Sequence, residues 1–257
     1  MERTPIIPDF STIPECFHEL LSGCAVFDSS CSPQARVWYM EKDQGYYLKR
    51  APRGSLQREA EMTRFFHSKG LSPQVLDYAS LEQDWLLTIR MPGEDCTHRG
   101  YLEDPRRLSA LLGERLRQLH ETDGTGCPGA DKMELYLGNI RKNYKAGKWD
   151  LTPFPGATAE EIWQTVQTTA PLLERTTLIH GDYCLPNVML KDWSFAGFID
   201  VGEGGLGDRH IDLHWGMWSL GYNLGTDAYR DRFLDAYGRD RINNDLLAAI
   251  GAFEAFG

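Results

Sequence analysis

The sequence predicts an α+β protein of two lobes, with a strand-rich first lobe over residues 1–91 and a helical second lobe over residues 92–257. β-Forming residues separated by short turns dominate the first third of the chain, whereas apolar residues at helical spacing dominate the remainder. The turn sequence Met91-Pro92-Gly93 marks the change between the two patterns. We expect a ligand cleft between the lobes, where pockets commonly form.

The first lobe is predicted to be an antiparallel sheet with one helix. Residues 35–40 and 46–49 are rich in β-formers and flank a glycine-containing turn, so they predict a hairpin. Residues 54–70 show helical spacing of apolar side chains and end at a glycine. Residues 74–78 and 85–89 are predicted to form a further strand pair.

The second lobe is predicted to be mostly helical. Its periodic segments are residues 105–121, 159–173, 210–223 and 227–237, and the tail from residue 244. Residues 122–157 contain several glycines and prolines and have a mixed pattern. A short hairpin is predicted inside this lobe, with strands 188–190 and 195–200 around a turn.

Composition restricts the class of protein. With 257 residues, of which 42% are hydrophobic and 25% charged, a globular chain is expected. No apolar run reaches the length of a membrane span and the N-terminus does not resemble a signal peptide, so we expect a cytoplasmic protein without a membrane partner. The six cysteines include no C-x-x-C pair, which favours free thiols over disulfides or zinc.

The net charge of −10 bears on the binding partners. Nucleic-acid binding needs a basic surface, so this class of partner is not expected. An acidic surface attracts a cationic small molecule. On charge alone, the simpler interpretation is that acidity aids solubility.

Three side chains of the second lobe form the most informative pattern. Asp182 lies in the segment 180–187 (HGDYCLPN), Asn187 ends that segment, and Asp200 ends the following hairpin, which returns it towards the loop. Phosphoryl transfer needs positioning, metal neutralisation of phosphate oxygens and a carboxylate that orients the acceptor hydroxyl. We therefore expect Asp182 to accept that proton, and Asn187 and Asp200 to supply oxygen ligands to Mg²⁺.

The same residues also have a simpler interpretation. Asp and Asn often satisfy turns and helix caps, so the segment could be an ordinary loop. We weigh this against the combined motif, hairpin and second aspartate, which together are more specific than any one of them. For His180 we favour a structural, hydrogen-bonded role over acid–base chemistry.

A cation for nucleotide phosphates is expected in the first lobe. Lys49 ends a predicted strand, and Glu59 lies ten residues later in the predicted helix. A helix glutamate paired with a strand lysine directs the ammonium towards phosphates. Taken alone, a Lys–Glu pair is more often a solvated surface pair.

These motifs resemble those of the aminoglycoside phosphotransferases, most closely the aminoglycoside 3′-phosphotransferases (kanamycin kinases). The resemblance covers nearly the whole chain. It rests on residues 180–187, 197–202 (GFIDVG) and 207–209 with Asp212, and in the first lobe on residues 32–38 (SPQARVW) and 58–76.

The resemblance implies a protein-kinase-like bilobal fold and transfer from ATP or GTP with Mg²⁺. It implies that Asp182 is the catalytic residue, that Asn187 and Asp200 are metal ligands, and that Asp212 braces the catalytic loop. The implied nucleotide-binding residues are Ser32, Tyr47, Lys49, Glu59, Ile89 and Met91. Simpler interpretations remain: a turn at Ser32, a strand aromatic at Tyr47, and core positions at Ile89 and Met91.

On the acceptor side, the resemblance implies carboxylates that bind a polycation. The candidate residues are Asp150, Glu160, Glu161 and Glu254. A helix N-terminus explains acidic residues at 160 and 161 equally well. Trp218 stands by position where the family has an arginine, and Phe253 precedes Glu254 where the family has an acidic pair. Trp215 and Trp218 are either core residues or part of a reshaped acceptor pocket.

Three functions follow as hypotheses. The first is O-phosphorylation of an aminoglycoside, at the 3′-hydroxyl, by a resistance enzyme that is a monomer or weak dimer. The second is a kinase of the same fold acting on another small alcohol or antibiotic. The third is a non-catalytic nucleotide-binding module, which the intact Asp182, Asn187, Asp200 and Lys49 disfavour.

Overall fold

The computed structural model describes residues 4–30 and 35–257, apart from the side chain of Phe10. The chain divides into two compact units. The first unit contains Met1–Asp95 and Met189–Gly202, and the second contains Cys96–Val188 and Glu203–Gly257. The α+β, bilobal class predicted from sequence is confirmed. The structure divides the chain differently from the predicted boundary at residue 91, because residues 189–202 group with the N-terminal segment.

Within the described residues, the first unit is built on a six-stranded antiparallel sheet in the order β1-β2-β3-β4-β6-β5. Its strands are β1 (Thr4–Ile6), β2 (Ala25–Asp28), β3 (Arg36–Glu41), β4 (Tyr46–Pro52), β5 (Val75–Ser80) and β6 (Gln83–Ile89). The predicted hairpin and the predicted strand pair are confirmed as β3–β4 and β5–β6. Strands β1 and β2 were not predicted, since three or four residues carry little alternation.

Two helices of the first unit, α1 (His18–Leu21) and α2 (Gln57–Ser68), pack in separate apolar clusters of the sheet. One cluster joins Phe17 and Leu21 of the α1 region to Trp38, Leu48 and Trp85 of the strands. The other joins Leu56 and Ala60 of the α2 region to Ala51 and Leu86. Burial of these side chains stabilises the unit by about 1.5–3 kcal/mol for each large apolar group.

From Glu94 onward the chain forms β7 (Glu94–Asp95), α3 (Arg99–Leu102), α4 (Pro105–His120), α5 (Lys132–Lys145), α6 (Ala159–Thr169), β8 (Thr177–Ile179), β9 (Val188–Lys191), β10 (Ser194–Phe198), β11 (Gly205–Gly207), α7 (Arg209–Leu224), α8 (Arg230–Tyr237) and α9 (Asn244–Glu254). The five predicted helices of this part are confirmed as α4, α6, α7, α8 and α9. Helix α5 was missed inside the stretch of mixed pattern, 122–157, because its apolar side chains alternate with lysines and a glycine.

The hairpin β9–β10 is confirmed, and its packing explains why residues 189–202 belong to the first unit. The Phe198 N–H donates to the Leu71 carbonyl at 2.7 Å, and the Phe198 ring lies edge-on to Phe66 of α2 at 6.4 Å. Gly93 has a φ of +87°, and a side chain there would meet the Leu190 carbonyl oxygen at 2.0 Å. These long-range contacts leave no local signal in the sequence.

The second unit is mostly helical. Helices α5, α6, α7 and α9 share an apolar core that contains Met133, Ile162, Ile211, Ile250 and Phe253. The short strands β8 and β11 pair antiparallel, and Ile179, which directly precedes the segment 180–187, lies opposite Gly205. Among the described residues, no helix combines the length and apolar character needed to cross a bilayer. Five of the six cysteines lie in the described part and are free thiols, as predicted.

Candidate functional site

A cavity of about 230 Å³ opens in the first unit and is lined by residues of the sheet, of helix α2 and of the β9–β10 hairpin region. Six residues predicted to bind a nucleotide or its metal line it, namely Tyr47, Lys49, Glu59, Ile89, Met91 and Asp200. Sequence reasoning missed the apolar lining, which includes Ala35, Val37, Leu86, Met189, Phe198 and Ile199. A cavity with apolar walls and a polar end is suited to bind a planar nucleotide base that carries charged phosphate groups.

Strand alternation explains how β4 supplies this cavity. Tyr46 and Leu48 are buried in the sheet core, while Tyr47 and Lys49 point to the other face and line the cavity. Cross-strand pairing places Val37 opposite Lys49. The alternating pattern of the strand was therefore the signal that identifies these positions.

Lys49 is held by two carboxylates. Its ammonium donates to Glu59 Oε1 and Oε2 at 2.9 and 2.8 Å, and to Asp200 Oδ1 at 3.0 Å. Glu59 belongs to α2 and Asp200 follows β10, so the sheet, the helix and the hairpin meet at one cation. The surface-pair interpretation of Lys49 and Glu59 is wrong, because both side chains are largely buried.

The electrostatics of this cluster keep Lys49 charged. Burial lowers the pKa of the Lys49 ammonium, but the Asp200 and Glu59 carboxylates outweigh burial, so the pKa is raised above its usual value. Burial raises the pKa of the Glu59 carboxyl, and Lys49 offsets that increase only in part. A permanent cation at the cavity wall is suited to bind phosphate oxygens.

Asp200 has an unusual backbone conformation. Its φ is +54°, a region that residues with a side chain rarely adopt. The preceding hydrogen bond from Phe198 to Leu71 fixes the chain at this point, and the Asp200 side chain remains half exposed. Such strain is typical of functional positions.

Both predicted base-recognition positions, Ile89 and Met91, line the cavity. The Ile89 N–H donates to the Gln74 carbonyl at 3.0 Å, so it is already used inside the sheet region. Met91 lines the same cavity, and its side chain covers Gly197, where an added Cβ would meet the Met91 methyl at 1.8 Å. Ser32, the predicted phosphate-loop residue, lies outside the described residues.

In the second unit, Asp212 of α7 braces the catalytic loop. Its carboxylate accepts from the backbone N–H groups of His180 and Gly181, each at 2.7 Å, and from His120 Nε2 at 3.1 Å. Gly181 has a φ of +82°, and a side chain there would meet the Glu203 carbonyl oxygen at 2.0 Å. The bracing role predicted for Asp212 is confirmed.

The carboxylate of Asp182 is positioned by its own loop. Asn187 Nδ2 donates to Asp182 Oδ2 at 2.9 Å and to the Asp182 carbonyl at 3.0 Å. Burial raises the pKa of the Cys184 thiol, and the negative charge of Asp182 raises it further. The side chain of His180 is fully buried and its Nδ1 accepts from the Asp182 N–H at 3.3 Å, which agrees with a structural role.

Of the four predicted acceptor carboxylates, Glu254 is the least exposed. Burial raises the pKa of its carboxyl, the hydrogen bond from the Tyr136 hydroxyl at 2.6 Å lowers it in part, and the negative charge of Asp182 raises it further. Tyr136 and Lys132, which bonds to Glu203 at 2.8 Å, were missed because both belong to the unpredicted α5.

The other three carboxylates are held by local contacts. Asp150 accepts from the Thr152 N–H at 2.8 Å, and its own N–H donates to the Ala255 carbonyl beside Glu254. Glu160 accepts from the Tyr144 hydroxyl. Glu161 forms a capping box with Thr158 at the start of α6, so the helix-terminus interpretation accounts for it.

Phe253 and Trp218, the two residues that depart from the family pattern, have different surroundings. Phe253 is fully buried and stacks on Tyr136 at 6.2 Å, so position 253 belongs to the core of the unit. Trp215 is partly buried against the same core, whereas 45% of Trp218 is exposed. The core interpretation is therefore wrong for Trp218.

The oxygen donors available for a metal come from few residues. In the described part of the chain, no three His, Cys, Asp or Glu side chains are grouped to hold a metal ion. Asn187 in the second unit offers an amide oxygen, and Asp200 in the first unit offers a carboxylate oxygen; both are hard donors of the kind that Mg²⁺ prefers.

Similarity to known proteins agrees with this geometry. The family model described as "Phosphotransferase enzyme family" matches residues 29–249. A probable aminoglycoside 3′-phosphotransferase of Lactococcus lactis is 46% identical over 248 residues, which are 95% of each chain. The crystal structure of an aminoglycoside-3′-phosphotransferase of type VIII has a TM-score of 0.79 at 25% identity, covering 94% of this chain and 97% of that one. An aminoglycoside phosphotransferase of Streptomyces rimosus in complex with ADP and streptomycin shares the fold, with a TM-score of 0.69 at 19% identity and coverage of 97% and 99%.

Proposed function

This chain belongs to the phosphotransferase enzyme family, and we propose that it transfers the γ-phosphate of ATP or GTP to an aminoglycoside, at the 3′-hydroxyl, and so inactivates the antibiotic. The observation that carries the phosphoryl-transfer step is Lys49, held between Glu59 and Asp200 at the wall of a cavity. The acceptor class is supported by the relative that is 46% identical. A cytoplasmic location and a monomer or weak dimer stay predictions.

Nucleotide binding is assigned to the first unit. The base is proposed to lie between the apolar walls of the cavity against Tyr47, with its edge on the backbone of Met91 rather than on the Ile89 N–H, which Gln74 already uses. Lys49 binds phosphate oxygens, and Glu59 keeps the ammonium in place. Ser32 keeps its proposed place in the phosphate loop.

Asp182 is the proposed catalytic residue. Its carboxylate receives the proton of the acceptor hydroxyl as that oxygen attacks the γ-phosphorus and the bond to the nucleoside diphosphate breaks. The bond from Asn187 Nδ2 to Asp182 fixes the direction of the carboxylate. The same bond leaves the Asn187 carbonyl oxygen as the atom that would bind Mg²⁺, together with Asp200. When bound, Mg²⁺ neutralises charge on the phosphate oxygens.

Among the carboxylates proposed to bind the acceptor, Glu254 is the main candidate, because it is largely buried and feels the charge of Asp182. Asp150 is next, through its backbone bond to Ala255, and Glu160 follows. Glu161 caps α6 and is withdrawn from the acceptor set.

The test is acceptor-dependent turnover. The purified chain is incubated with Mg²⁺, ATP or GTP, and a panel that contains kanamycin, neomycin and streptomycin. Nucleoside diphosphate release and a product mass increased by one phosphate group are expected, with NMR locating the phosphate at the 3′-oxygen. No turnover with any aminoglycoside would reject this function.

One observation favours a second candidate, a kinase for another small hydroxylated compound. Phe253 is fully buried, so only Glu254 remains of an acidic pair, and the acceptor site carries less negative charge than a polycation would favour. Turnover with a neutral or singly charged alcohol, but not with aminoglycosides, would support this candidate.

A further inference from the structure

Asp84 is a buried carboxylate of the first unit that the reaction proposed above does not use. It is the second residue of β6, and its side chain is fully buried. Its Oδ2 accepts from the Leu56 N–H at 2.9 Å and from the Tyr78 hydroxyl at 3.1 Å, and its Oδ1 accepts from the Ser80 hydroxyl at 2.7 Å. Burial raises the pKa of this carboxyl, but the hydrogen bonds that it accepts outweigh burial and lower the pKa, so the side chain is charged at neutral pH.

Asp84 caps the N-terminus of α2 from another part of the chain. The first N–H groups of a helix have no partner within the helix, and an oxygen of the N-cap side chain usually accepts from one of them. The N-cap of α2 is Leu56, which has no acceptor atom in its side chain. A carboxylate 28 positions later accepts instead, and its negative charge is favourable at the positive end of the helix dipole.

The turn that Asp84 caps also carries Glu59. This glutamate lies in the first turn of α2 and accepts from the Lys49 ammonium with both carboxylate oxygens, at 2.9 and 2.8 Å. The Leu56 side chain is buried in a cluster with Ala51 and Leu86, so Leu56 is held both by its backbone and by its side chain. A shift of this turn therefore moves the carboxylate that holds Lys49.

Asp84 belongs to the strand that pairs with the strand of Lys49. In the register of β4 and β6, Ala51 lies opposite Asp84, and Lys49 lies opposite Leu86. Side chains directly opposite each other, and side chains two positions apart, share one face of a sheet, so Lys49 and Asp84 lie on the same face. One carboxylate thus connects the sheet that carries the cation with the helix that carries its partner.

We propose that Asp84 is a positioning residue for nucleotide binding, which holds the first turn of α2 against β6 and so keeps the Glu59 carboxylate on the Lys49 ammonium. Its action on the nucleotide is indirect, through Glu59 and then Lys49. The role rests on the function proposed above, because it requires that Lys49 binds phosphate oxygens. The competing role is support of the fold alone, which would lower stability without a specific effect on the nucleotide.

The test measures ADP binding to the full chain by calorimetry, with Mg²⁺ and without acceptor, and KM for ATP and for kanamycin. Asp84→Asn removes the charge and keeps the size of the side chain. A second variant, Tyr78→Phe with Ser80→Ala, keeps the carboxylate and removes two of its donors. The matched control is Val26→Ala, which shortens a buried side chain in the other apolar cluster of the same sheet. Thermal unfolding compares the stability of all variants.

Asp84→Asn is expected to raise the Kd for ADP and the KM for ATP about five- to tenfold, because loss of the cap lets the first turn of α2 shift and weakens the hold of Glu59 on Lys49. KM for kanamycin stays unchanged. The variant that lacks the two hydroxyl donors should raise the Kd for ADP about threefold. Val26→Ala should lower the thermal midpoint and leave the Kd for ADP unchanged.

Glu59→Gln separates a positioning role from support of the fold. If Asp84 acts through Glu59, Asp84→Asn should raise the Kd for ADP by less than about twofold in a chain that already carries Glu59→Gln, because the ion pair that Asp84 positions is lost in that chain. Support of the fold alone would lower the thermal midpoint by the same amount with and without Glu59→Gln.

Three results would overturn the positioning role while the proposed function stands. The first is an unchanged Kd for ADP in Asp84→Asn or, where that variant does not fold, in the variant of Tyr78 and Ser80. The second is an equal rise of this Kd in Val26→Ala at equal loss of stability, and the third is an undiminished effect of Asp84→Asn in the Glu59→Gln chain.

The wild-type chain tests the proposed function separately. A wild-type chain that binds neither ADP nor ATP rejects the proposed function, and the positioning role with it. A wild-type chain that binds ADP but phosphorylates no aminoglycoside rejects the proposed acceptor, and the measurements of ADP binding still decide the role of Asp84.

Discussion

At the scale of single residues, the two candidate aspartates have different hydrogen-bond partners. Asp200 accepts from the Lys49 ammonium at 3.0 Å, which Glu59 also binds, while Asp182 accepts from the Asn187 amide at 2.9 Å. In the function proposed above, Asp182 receives the proton of the acceptor hydroxyl and Asp200 lies on the phosphate side, beside the Lys49 ammonium.

Replacing Asp182 by Asn keeps the shape of the side chain and removes its capacity to accept a proton. We expect kcat to fall by about 10²–10⁴-fold, the usual contribution of acid–base catalysis, with KM for both substrates nearly unchanged. Steady-state kinetics with kanamycin and ATP measure this. Asp77→Asn, at an exposed strand position of the first unit, should behave as wild type. A kcat within threefold of wild type in Asp182→Asn would contradict the assigned role.

Replacing Lys49 by Met removes the cation between Glu59 and Asp200. Losing a hydrogen bond between charged groups costs about 1.5–3 kcal/mol, so we expect KM for ATP to rise about 10- to 100-fold while KM for kanamycin changes little. The free energy of unfolding should fall by about 1–2 kcal/mol, less than the ~3–5 kcal/mol of a fully buried pair, because Asp200 is half exposed.

The matched control for Lys49 is Arg64→Met on the exposed side of α2. It removes a cation from the same unit without touching the cavity and should leave KM for ATP unchanged. An equal rise of KM for ATP in Lys49→Met and Arg64→Met would indicate a general effect of charge. It would exclude a specific contact of Lys49 with the phosphates.

At the scale of elements, α7 supports the segment 180–187 through the side chain of Asp212. Asp212→Asn replaces a carboxylate that accepts three hydrogen bonds by an amide that cannot accept them all. We expect a loss of about 2–3 kcal/mol in the free energy of unfolding, because a buried N–H is left without an acceptor, and a lower kcat. Denaturant unfolding and kinetics measure both. Asp235→Asn, exposed on α8, should change either quantity little.

His120 links α4 to this brace and should make stability depend on pH. The Asp212 carboxylate acts as a hydrogen-bond acceptor for His120, so the proton of the neutral imidazole lies on Nε2. The Nδ1 atom then accepts from the Tyr237 hydroxyl at 2.8 Å. Burial lowers the pKa of His120 below its usual value, although Asp212 opposes this. As the pH falls below about 6.5, the unfolded chain binds a proton that the folded chain does not, so stability decreases towards the folded pKa.

The measurement for His120 is the free energy of unfolding from about pH 8 to about pH 5 in wild type and in His120→Gln. In His120→Gln, the free energy of unfolding should decrease less on acidification than it does in wild type. Glu254 acts with the opposite sign, because its raised pKa lets the folded chain hold a proton above the usual carboxyl pKa, but it is present in both proteins and cancels in the difference. Parallel curves for wild type and His120→Gln would exclude the effect.

At the scale of the whole molecule, the net charge of −10 should attract a polycationic acceptor. Since the Debye length shortens to about 10 Å at 0.1 M salt, we expect KM for kanamycin to rise several-fold between about 20 and about 200 mM NaCl, with kcat nearly constant. An N-acetylated kanamycin with fewer ammonium groups is the matched control and should respond less. A salt-independent KM for kanamycin would show that long-range attraction does not contribute.

Much of the fold was predictable because its signals are local. The β3–β4 hairpin, helix α4 and the hairpin β9–β10 each carry their own alternation, helical spacing or turn residues. The segment that holds Asp182 and Asn187 was recognisable because its spacing is itself the motif. Helix α5 was not predictable in this way, and Tyr136, which bonds to Glu254, was missed with it.

The sequence by itself determined the two-lobe α+β class, the candidate residues for phosphoryl transfer and the pairing of a strand lysine with a helix glutamate, because each of these has a local pattern in the chain. Only the tertiary structure decided that residues 189–202 pack with the first unit, that Glu254 meets Tyr136, and that Phe253 is buried. The physical reason is that these outcomes depend on contacts between residues about a hundred positions apart, and the pattern of either segment alone does not reveal which surface it will meet.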